Sequence, residues 1–568
     1  MNFFKQHITN LLIKIIKNTN LQKNDIIKLL EVPPDKDLGD FSFPCFELAK
    51  RYKKSPTQIS EELKNKIPKS KLIKKIEIKN GYINFFIEEK ELISYTLNNI
   101  QKNKQKYGSS NTGKKRLVMI EYSSPNTNKP LHLGHVRNNV LGMSLSNLYE
   151  FSGYRIIKTS LVNDRGIHIC KSMLAYMKYG KNKIPDKKPD HFVGDFYALF
   201  TLMSKENPGL ELEAQELLKK WESKDKKTLA LWKKMNSWVY KGFEETYKII
   251  GSRFDKTYYE SKIYEKAKEI VSNGLKKGIF KKENDTITAN LSRFNLPNKI
   301  LMRSDKTSLY ITQDIYLAIL KFKQYKLFKS IYVVANEQNL HFKQLFTILN
   351  MLGYKWYNDC YHLSYGYVLL PSGKMKSREG TVIDADNLIA EMKSMAKNEL
   401  LKRYKLSAKE LERRSVLIAL AAIKFFFLKY ETFKDIVFNP EESISFEGET
   451  GPYIQYTYAR ANSILKKSKN KTQKYKPELL NKKEEIDIID TLSKFPDTVE
   501  EAVLNYKPSL IAHYLINLCQ QFNEFYQKHP VLKAEKQLRN ARLLLVIATK
   551  QTILNASELL NIDLLEKM

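Results

Sequence analysis

The stretch RLVMIEYSSPNTNKPLHLGH, residues 116–135, decides the fold. It opens on an apolar run, RLVMIEYSS, of the kind a parallel strand carries when both of its faces are covered. A loop with proline and asparagine follows, and then a helical stretch, GHVRNNVLGMSLSNLYEFSG. A second strand-like run, YRIIKTSLVND, completes a strand, helix, strand unit. Such a unit begins a doubly wound parallel sheet, and a nucleotide would sit at the carboxyl end of its strands.

Outward from this unit the chain divides into three. Residues 1–112 mix short helical patterns with one strand-like run, KIEIKNGYINFFIEEK, and end in the turn-rich loop YGSSNTGKKR. The opening MNFFKQHITNLLIKIIKN has an apolar face, but Lys14 and Lys17 interrupt it and no small-residue cleavage site follows, so it reads as an amphipathic helix of the mature protein. From about 172 to 285 the pattern is helical, Lys-rich and aromatic, an insertion before the sheet resumes with SLYITQDIYLAIL, SIYVVANEQ and YHLSYGYVLL. Beyond about 400, long helical periodicity runs without strands. The expected architecture is a Rossmann-type α/β catalytic domain at 113–400 with a helical insertion at about 172–285, a small α+β N-terminal domain at 1–112, and an all-α C-terminal domain at 401–568.

Composition bounds the function. The 568 residues exceed one hydrophobic core, and no run of apolar residues is long enough to span a bilayer. Cys45, Cys170, Cys360 and Cys519 lie far apart with no CxxC pair, which argues against a zinc knuckle or a disulfide framework and for a reducing cytoplasm. Lys and Arg number 96 against 62 Asp and Glu, a net charge of +34 that would attract a polyanion. An AT-rich genome would produce the same Lys-heavy composition, so charge alone supports nucleic acid only weakly.

Two short elements carry the chemistry. In the first, His132 and His135 bracket Gly134 where a strand passes into a helix. Glycine lets the backbone approach a ligand, the helix N-terminus offers N–H groups, and two imidazoles can donate to phosphate oxygens. Taken alone, HxGH equally describes a capped helix with packed histidines. The second is GYVLLPSGKMKSREGTVIDADNLI, a loop bearing Lys374, Met375, Lys376 and Arg378, whose cations could meet a triphosphate and which alone reads as a solvated turn. Together and in this order they resemble the HIGH and KMSKS signatures of class I aminoacyl-tRNA synthetases. One departure stands out: the family's second signature lysine falls at Ser377. Lys129 resembles a lysine that arginyl-tRNA synthetases carry upstream of the first signature, where it compensates, and Lys376 is the alternative. The resemblance thus makes His132, His135, Lys129 and Lys376 catalytic, with Gly134, Lys374, Met375 and Arg378 on ATP.

IEYSSPNTNKPLHLGH, SLYITQDIYLA, VVANEQNLHFKQL and EGETGPYIQYTYAR are similar to arginyl-tRNA synthetase, as is the final RLLLVIATKQTILNASELLNID, so the resemblance spans the chain. It implies an arginine–tRNA ligase that uses ATP with Mg²⁺ and no zinc, binds L-arginine and tRNA(Arg), and works as a cytoplasmic monomer in which activation requires tRNA. The residues agree with a guanidinium ligand, which calls for carboxylates and a phenol. Glu121 ends the first strand, and Tyr310 and Asp314 share a helical face if the chain is helical there. The resemblance assigns these three to the arginine side chain and Ser124, Asn126 and Gln338 to its amino and carboxylate end; His341 is a weaker candidate. For tRNA it implies Tyr82 and Asn84 at the elbow and Tyr453, Tyr456 and Arg460 at the anticodon, where stacking and edge contacts read unpaired bases. A glutamate- or glutamine-specific synthetase is disfavoured, since Glu121 and Asp314 would repel an acidic side chain. An inactive RNA-binding paralogue rests only on the irregular Lys374–Arg378 loop.

Overall fold

The apolar runs on either side of the HxGH segment become the middle of one sheet. In the computed structural model, which describes residues 2–17, 19–304, 309–370, 373–374, 383–468 and 475–568, five parallel strands stand side by side: β1 (Leu117–Glu121), β2 (Arg155–Val162), β3 (Lys256–Tyr259), β4 (Lys329–Ala335) and β5 (Cys360–Tyr365). Their spatial order is β5-β4-β1-β2-β3. The chain therefore winds one way from β1 through β2 to β3 and the other way through β4 to β5. The reversal lies between β1 and β4, and there the crevice at the carboxyl ends accepts ligands.

Helix α1 (Leu133–Phe151) connects β1 to β2 and is buried along nearly its whole length. Gly142 lets it lie against the sheet, because a Cβ there would run into the Tyr122 ring. Arg137, fully buried, donates to four carbonyls, those of Gly366, Tyr367, Thr432 and Lys434, at 2.6, 3.2, 3.1 and 3.0 Å. One guanidinium thereby ties α1 both to the segment after β5 that walls the crevice and to the loop that follows Ala408–Leu428, and its hydrogen bonds offset part of the cost of burying the charge.

Four helices, α2 (Ile167–Tyr179), α3 (Pro189–Glu206), α4 (Gly209–Glu222) and α5 (Lys226–Ile250), form the insertion. It is shorter than the sequence reading had it, because the sheet resumes at β3 and not after residue 285. After β3 come α6 (Glu260–Lys276) and a small antiparallel sheet of Lys281–Glu283, Thr286–Ala289 and Lys299–Met302. A second correction concerns SLYITQDIYLAIL, which is helix α7 (Tyr310–Gln324) and not a strand of the resuming sheet. Its buried Ile311, Ile315 and Ala318 recur at helical spacing, and that packing overrides the β-branched, aromatic composition. Helix α8 (Asn339–Met351) joins β4 to β5, and α9 (Ala385–Arg403) follows.

The N-terminal unit is α+β as expected: the strands Phe41–Pro44, Tyr82–Ile87 and Ile73–Lys79 form an antiparallel sheet among helices that begin with Asn2–Ile15. Asn80 and Gly81, both at positive φ (53° and 78°), make the two-residue turn inside KIEIKNGYINFFIEEK, so this run is a hairpin and not one strand. The C-terminal unit packs α10 (Ala408–Leu428), α11 (Gly451–Ser468), α12 (Lys483–Leu504), α13 (Pro508–Lys528) and α14 (Lys536–Leu559) around one apolar core. No helix among the described residues is long and apolar enough to cross a membrane.

Candidate active site

His132 is the N-cap of α1. Its Nδ1 accepts the Gly134 N–H at 3.2 Å, and the Nδ1 of His135 accepts the His132 N–H at 3.1 Å. With both Nδ1 atoms acting as acceptors, each neutral ring carries its proton on Nε2. The rings lie 3.8 Å apart, tilted by 41°. Burial, and then the charge of Lys129, lowers the pKa of His132 to about 4. Burial, His132 and Lys129 hold His135 well below its ordinary value. Two uncharged imidazoles with Nε2–H donors therefore stand at the start of a helix whose dipole favours anions. Gly134 serves this pair directly: a Cβ there would lie 3.1 to 3.2 Å from the His132 ring. It thus leaves room for that imidazole, and it also lines the cavity where the sequence reading places the ligand.

A cavity of about 470 Å³ opens beside the pair, with Ser124, Lys129 and Asn138 on the α1 side and Ala335, Glu337 and Tyr365 on the β4–β5 side. It sits at the switch point. Among the described residues that line it, Lys129 is the one ammonium, and burial lowers its pKa. Asn138, one turn past His135, was not singled out from the sequence, yet it holds the site together. Its Oδ1 accepts the Ser123 N–H at 2.6 Å and its Nδ2 donates to the Val333 carbonyl at 2.7 Å and the Tyr365 hydroxyl at 3.1 Å, linking β1, β4 and β5. Ser123 stands at φ 62°, the left-handed region, which turns the chain away from the sheet toward the HxGH segment.

Lys374 falls in a two-residue strand, Gly373–Lys374, while Met375, Lys376 and Arg378 lie outside the described residues. The chain re-enters beside the first signature: Leu133 N–H bonds to the Ile383 carbonyl at 3.1 Å and Ala385 N–H to the Leu131 carbonyl at 2.8 Å.

The two carboxylates expected for a guanidinium both have partners in the fold. Glu121, 5% exposed, is not a free carboxylate: its Oε2 accepts from Lys321 Nζ at 2.6 Å. Asp314 is half-buried, with Oδ2 2.7 Å from His341 Nε2, so His341 orients it. Tyr310 opens α7 one turn before Asp314 on the same face and is 63% exposed. A further acid appears that sequence reasoning missed. Glu260, buried at the start of α6, has its carboxyl pushed up to about 7 by burial, against the pull of Arg165 3.8 Å away, and it feels the charge of Asp314. Ser124 lines the cavity; Asn126 is exposed, bridged to Asn163; Gln338 is half-buried where β4 leads into α8.

The Asp190, His191 and Asp386 side chains are close enough to share a cation, and the Lys188 ammonium already occupies that role, 3.0 Å from Asp190 and 2.7 Å from Asp386.

Two further surfaces follow. On α11 the Arg460 guanidinium donates to Asn523 Oδ1 at 2.7 Å and to the Tyr456 hydroxyl at 2.8 Å, and lies 4.7 Å above the Tyr456 ring and 5.4 Å from that of Tyr526. It borders a cavity of about 650 Å³ with Tyr456, Tyr526 and Lys466, a basic and aromatic wall suited to unpaired bases. The Tyr453 hydroxyl accepts from Asn523 at 2.9 Å, and Tyr458 is core. In the N-terminal sheet Tyr82 is half-buried, edge-on to Phe46. Asn84 departs from the expectation of a surface contact: in the middle strand of the sheet it is buried, as are Ile83 and Phe85 beside it, and its Oδ1 accepts from the Ser42 hydroxyl.

The profile "tRNA synthetases class I (R), catalytic domain" matches residues 96–440, the "DALR anticodon binding domain" residues 454–568, and the "Arginyl tRNA synthetase N terminal domain" residues 2–87. The arginine–tRNA ligase of Treponema denticola is 43% identical over 561 residues, covering 95% of this chain and 94% of that one. That of Phocaeicola vulgatus is 43% identical over 573 residues, covering 93% and 94%. Among solved structures, the arginyl-tRNA synthetase of Thermus thermophilus superposes over the full length of both chains with a TM-score of 0.85 at 24% identity.

Proposed function

The chain belongs to the arginyl-tRNA synthetases, and we propose that the cavity between β1 and β4 is where its ATP and arginine meet, with His132, His135 and Lys129 on the phosphates. The reaction is arginine activation by ATP to arginyl-adenylate and pyrophosphate, then transfer of arginine to the 3′ end of tRNA(Arg). An arginine carboxylate oxygen attacks the α-phosphorus, the α–β bridging bond breaks, and its electron pair leaves on pyrophosphate. The observation that carries the reading is the pair of neutral imidazoles at the helix start, each with Nε2–H to donate as that charge develops. Half-buried as they are, such donors and the Lys129 ammonium act at a lower dielectric than bulk water, where they are stronger than in solvent. Mg²⁺ arrives as part of the nucleotide, held by phosphates. Glu337, the one carboxylate among the described residues lining the cavity, already accepts from the Tyr367 hydroxyl at 3.0 Å.

Glu121, Asp314 and Tyr310 take the guanidinium, and Ser124, Asn126 and Gln338 the amino and carboxylate groups. Arg460, Tyr456 and Tyr453 read the anticodon, and Tyr82 meets the elbow from the N-terminal unit. The functional units run 1–112, 113–400 and 401–568, and the enzyme works as a cytoplasmic monomer.

The displaced signature lysine supplies the test. Lys129→Ala should slow aminoacylation roughly tenfold, about the worth of one charge-assisted hydrogen bond to phosphate, while Lys374→Ala should change it less. Single-turnover rates at saturating ATP compare the two directly; equal or reversed effects remove Lys129 from the phosphate site.

A further inference from the structure

We propose that Lys321 is a positioning residue for the amino acid: its buried ammonium holds one oxygen of Glu121 and so turns the other to the guanidinium of arginine. This rests on the reading that Glu121 faces the substrate and adds a residue to it. Lys321 lies on α7 two turns past Asp314, on the stripe that begins with Tyr310, so exposed phenol, half-buried acid and buried ammonium descend one helix face.

Lys321 has no exposed surface. Its Nζ stands 2.6 Å from Glu121 Oε2 and 4.4 Å from the centroid of Tyr332, whose strand position pairs with Glu121 across β4 and β1. The Tyr332 hydroxyl is pushed well up by burial first, and then by Cys360, Glu121 and, more weakly, Asp314. A buried ion pair is weak support for a fold, since well-packed apolar side chains of similar volume are often as stable. Its place at the carboxyl end of the central strand, beside the crevice, gives it another use. A carboxylate as buried as Glu121 costs free energy unless a cation or donor meets it. The Lys321 ammonium neutralises Glu121 alone, so the carboxylate of Asp314, which His341 orients, is left to meet the positive charge of arginine. With Oε2 taken, Glu121 has one orientation, and the planar fork of the guanidinium needs such fixed acceptors.

The test is steady-state aminoacylation with Lys321→Met, Lys321→Arg and Glu121→Gln. Lys321→Met should raise the arginine KM about tenfold while kcat and the KM values for ATP and tRNA stay near wild type, and Lys321→Arg should recover most of the loss. A Lys321→Met enzyme with unchanged arginine KM, or one losing kcat and melting temperature without recovery in Lys321→Arg, overturns the proposal. Should Lys321→Met not fold, the double variant Glu121→Gln/Lys321→Met, which leaves no lone buried charge, replaces it: its arginine KM should equal that of Glu121→Gln alone, and a further rise overturns the coupling. Glu121→Gln separates the two layers. If it leaves the arginine KM unchanged, the reading of Glu121 fails; if it raises the KM while Lys321→Met does not, only the role of Lys321 fails.

Discussion

His132→Asn should lower the rate of arginyl-adenylate formation about 10²- to 10³-fold, the usual cost of removing one transition-state hydrogen-bond donor, with little change in KM for ATP. Asparagine is the informative replacement. It caps a helix start as well as any residue, so it can accept the Gly134 N–H as the imidazole does and leave α1 in place. What it removes is the Nε2–H beyond the cap, the group we propose meets pyrophosphate as the α–β bond breaks. Because burial and Lys129 hold His132 at a pKa of about 4, the free enzyme's kcat/KM for ATP should show no titration from this ring near 6.5. The same shift has a stability side. The unfolded ring takes a proton near pH 6.5 and the native ring only near 4, so its contribution is full above 6.5 and is lost as pH falls through that interval. An acid scan of melting temperature should show this loss in the wild type and a smaller one in His132→Asn. An unaltered activation rate in the variant would remove the imidazole from the reaction.

Asp314→Asn should raise the KM for arginine about 30-fold, near 2 kcal/mol, the low end for breaking a paired charge because Asp314 is only half-buried. The amide can still accept from His341, whose Nε2 lies 2.7 Å from the carboxylate, so the local packing survives and the change isolates charge. ATP binding, which we place on the HxGH wall, should move less than about twofold. A selective ATP defect would place Asp314 elsewhere in the reaction.

Much of this was legible in the residues. RLVMIE, YRIIKTSLV, SIYVVA and the start of YHLSYGYVLL are strands of the sheet, since apolar runs of that length suit strands covered on both faces. His132 and His135 are brought together by the helix start that their spacing implied. The fifth strand, Lys256–Tyr259, escaped notice because four residues between long helices make no run and carry two polar side chains. Helix α7 looked like a strand for its Ile and Tyr content, although Tyr310 and Asp314 four apart had already suggested a shared helical face. The pairing of Glu121 with Lys321 joins residues far apart in sequence, and no local pattern announces it. The same holds for Asn138, whose three bonds across the sheet exist only once β1, β4 and β5 are assembled, and for the burial of Asn84 under Ser42.

The account's central claim is that one crevice selects arginine and activates it. Pyrophosphate exchange with each of the twenty amino acids, with and without tRNA, tests it most directly. Exchange with arginine, driven by added tRNA and absent for lysine, glutamate and glutamine, is the predicted result. Exchange with another amino acid in place of arginine, or none under either condition, would contradict it.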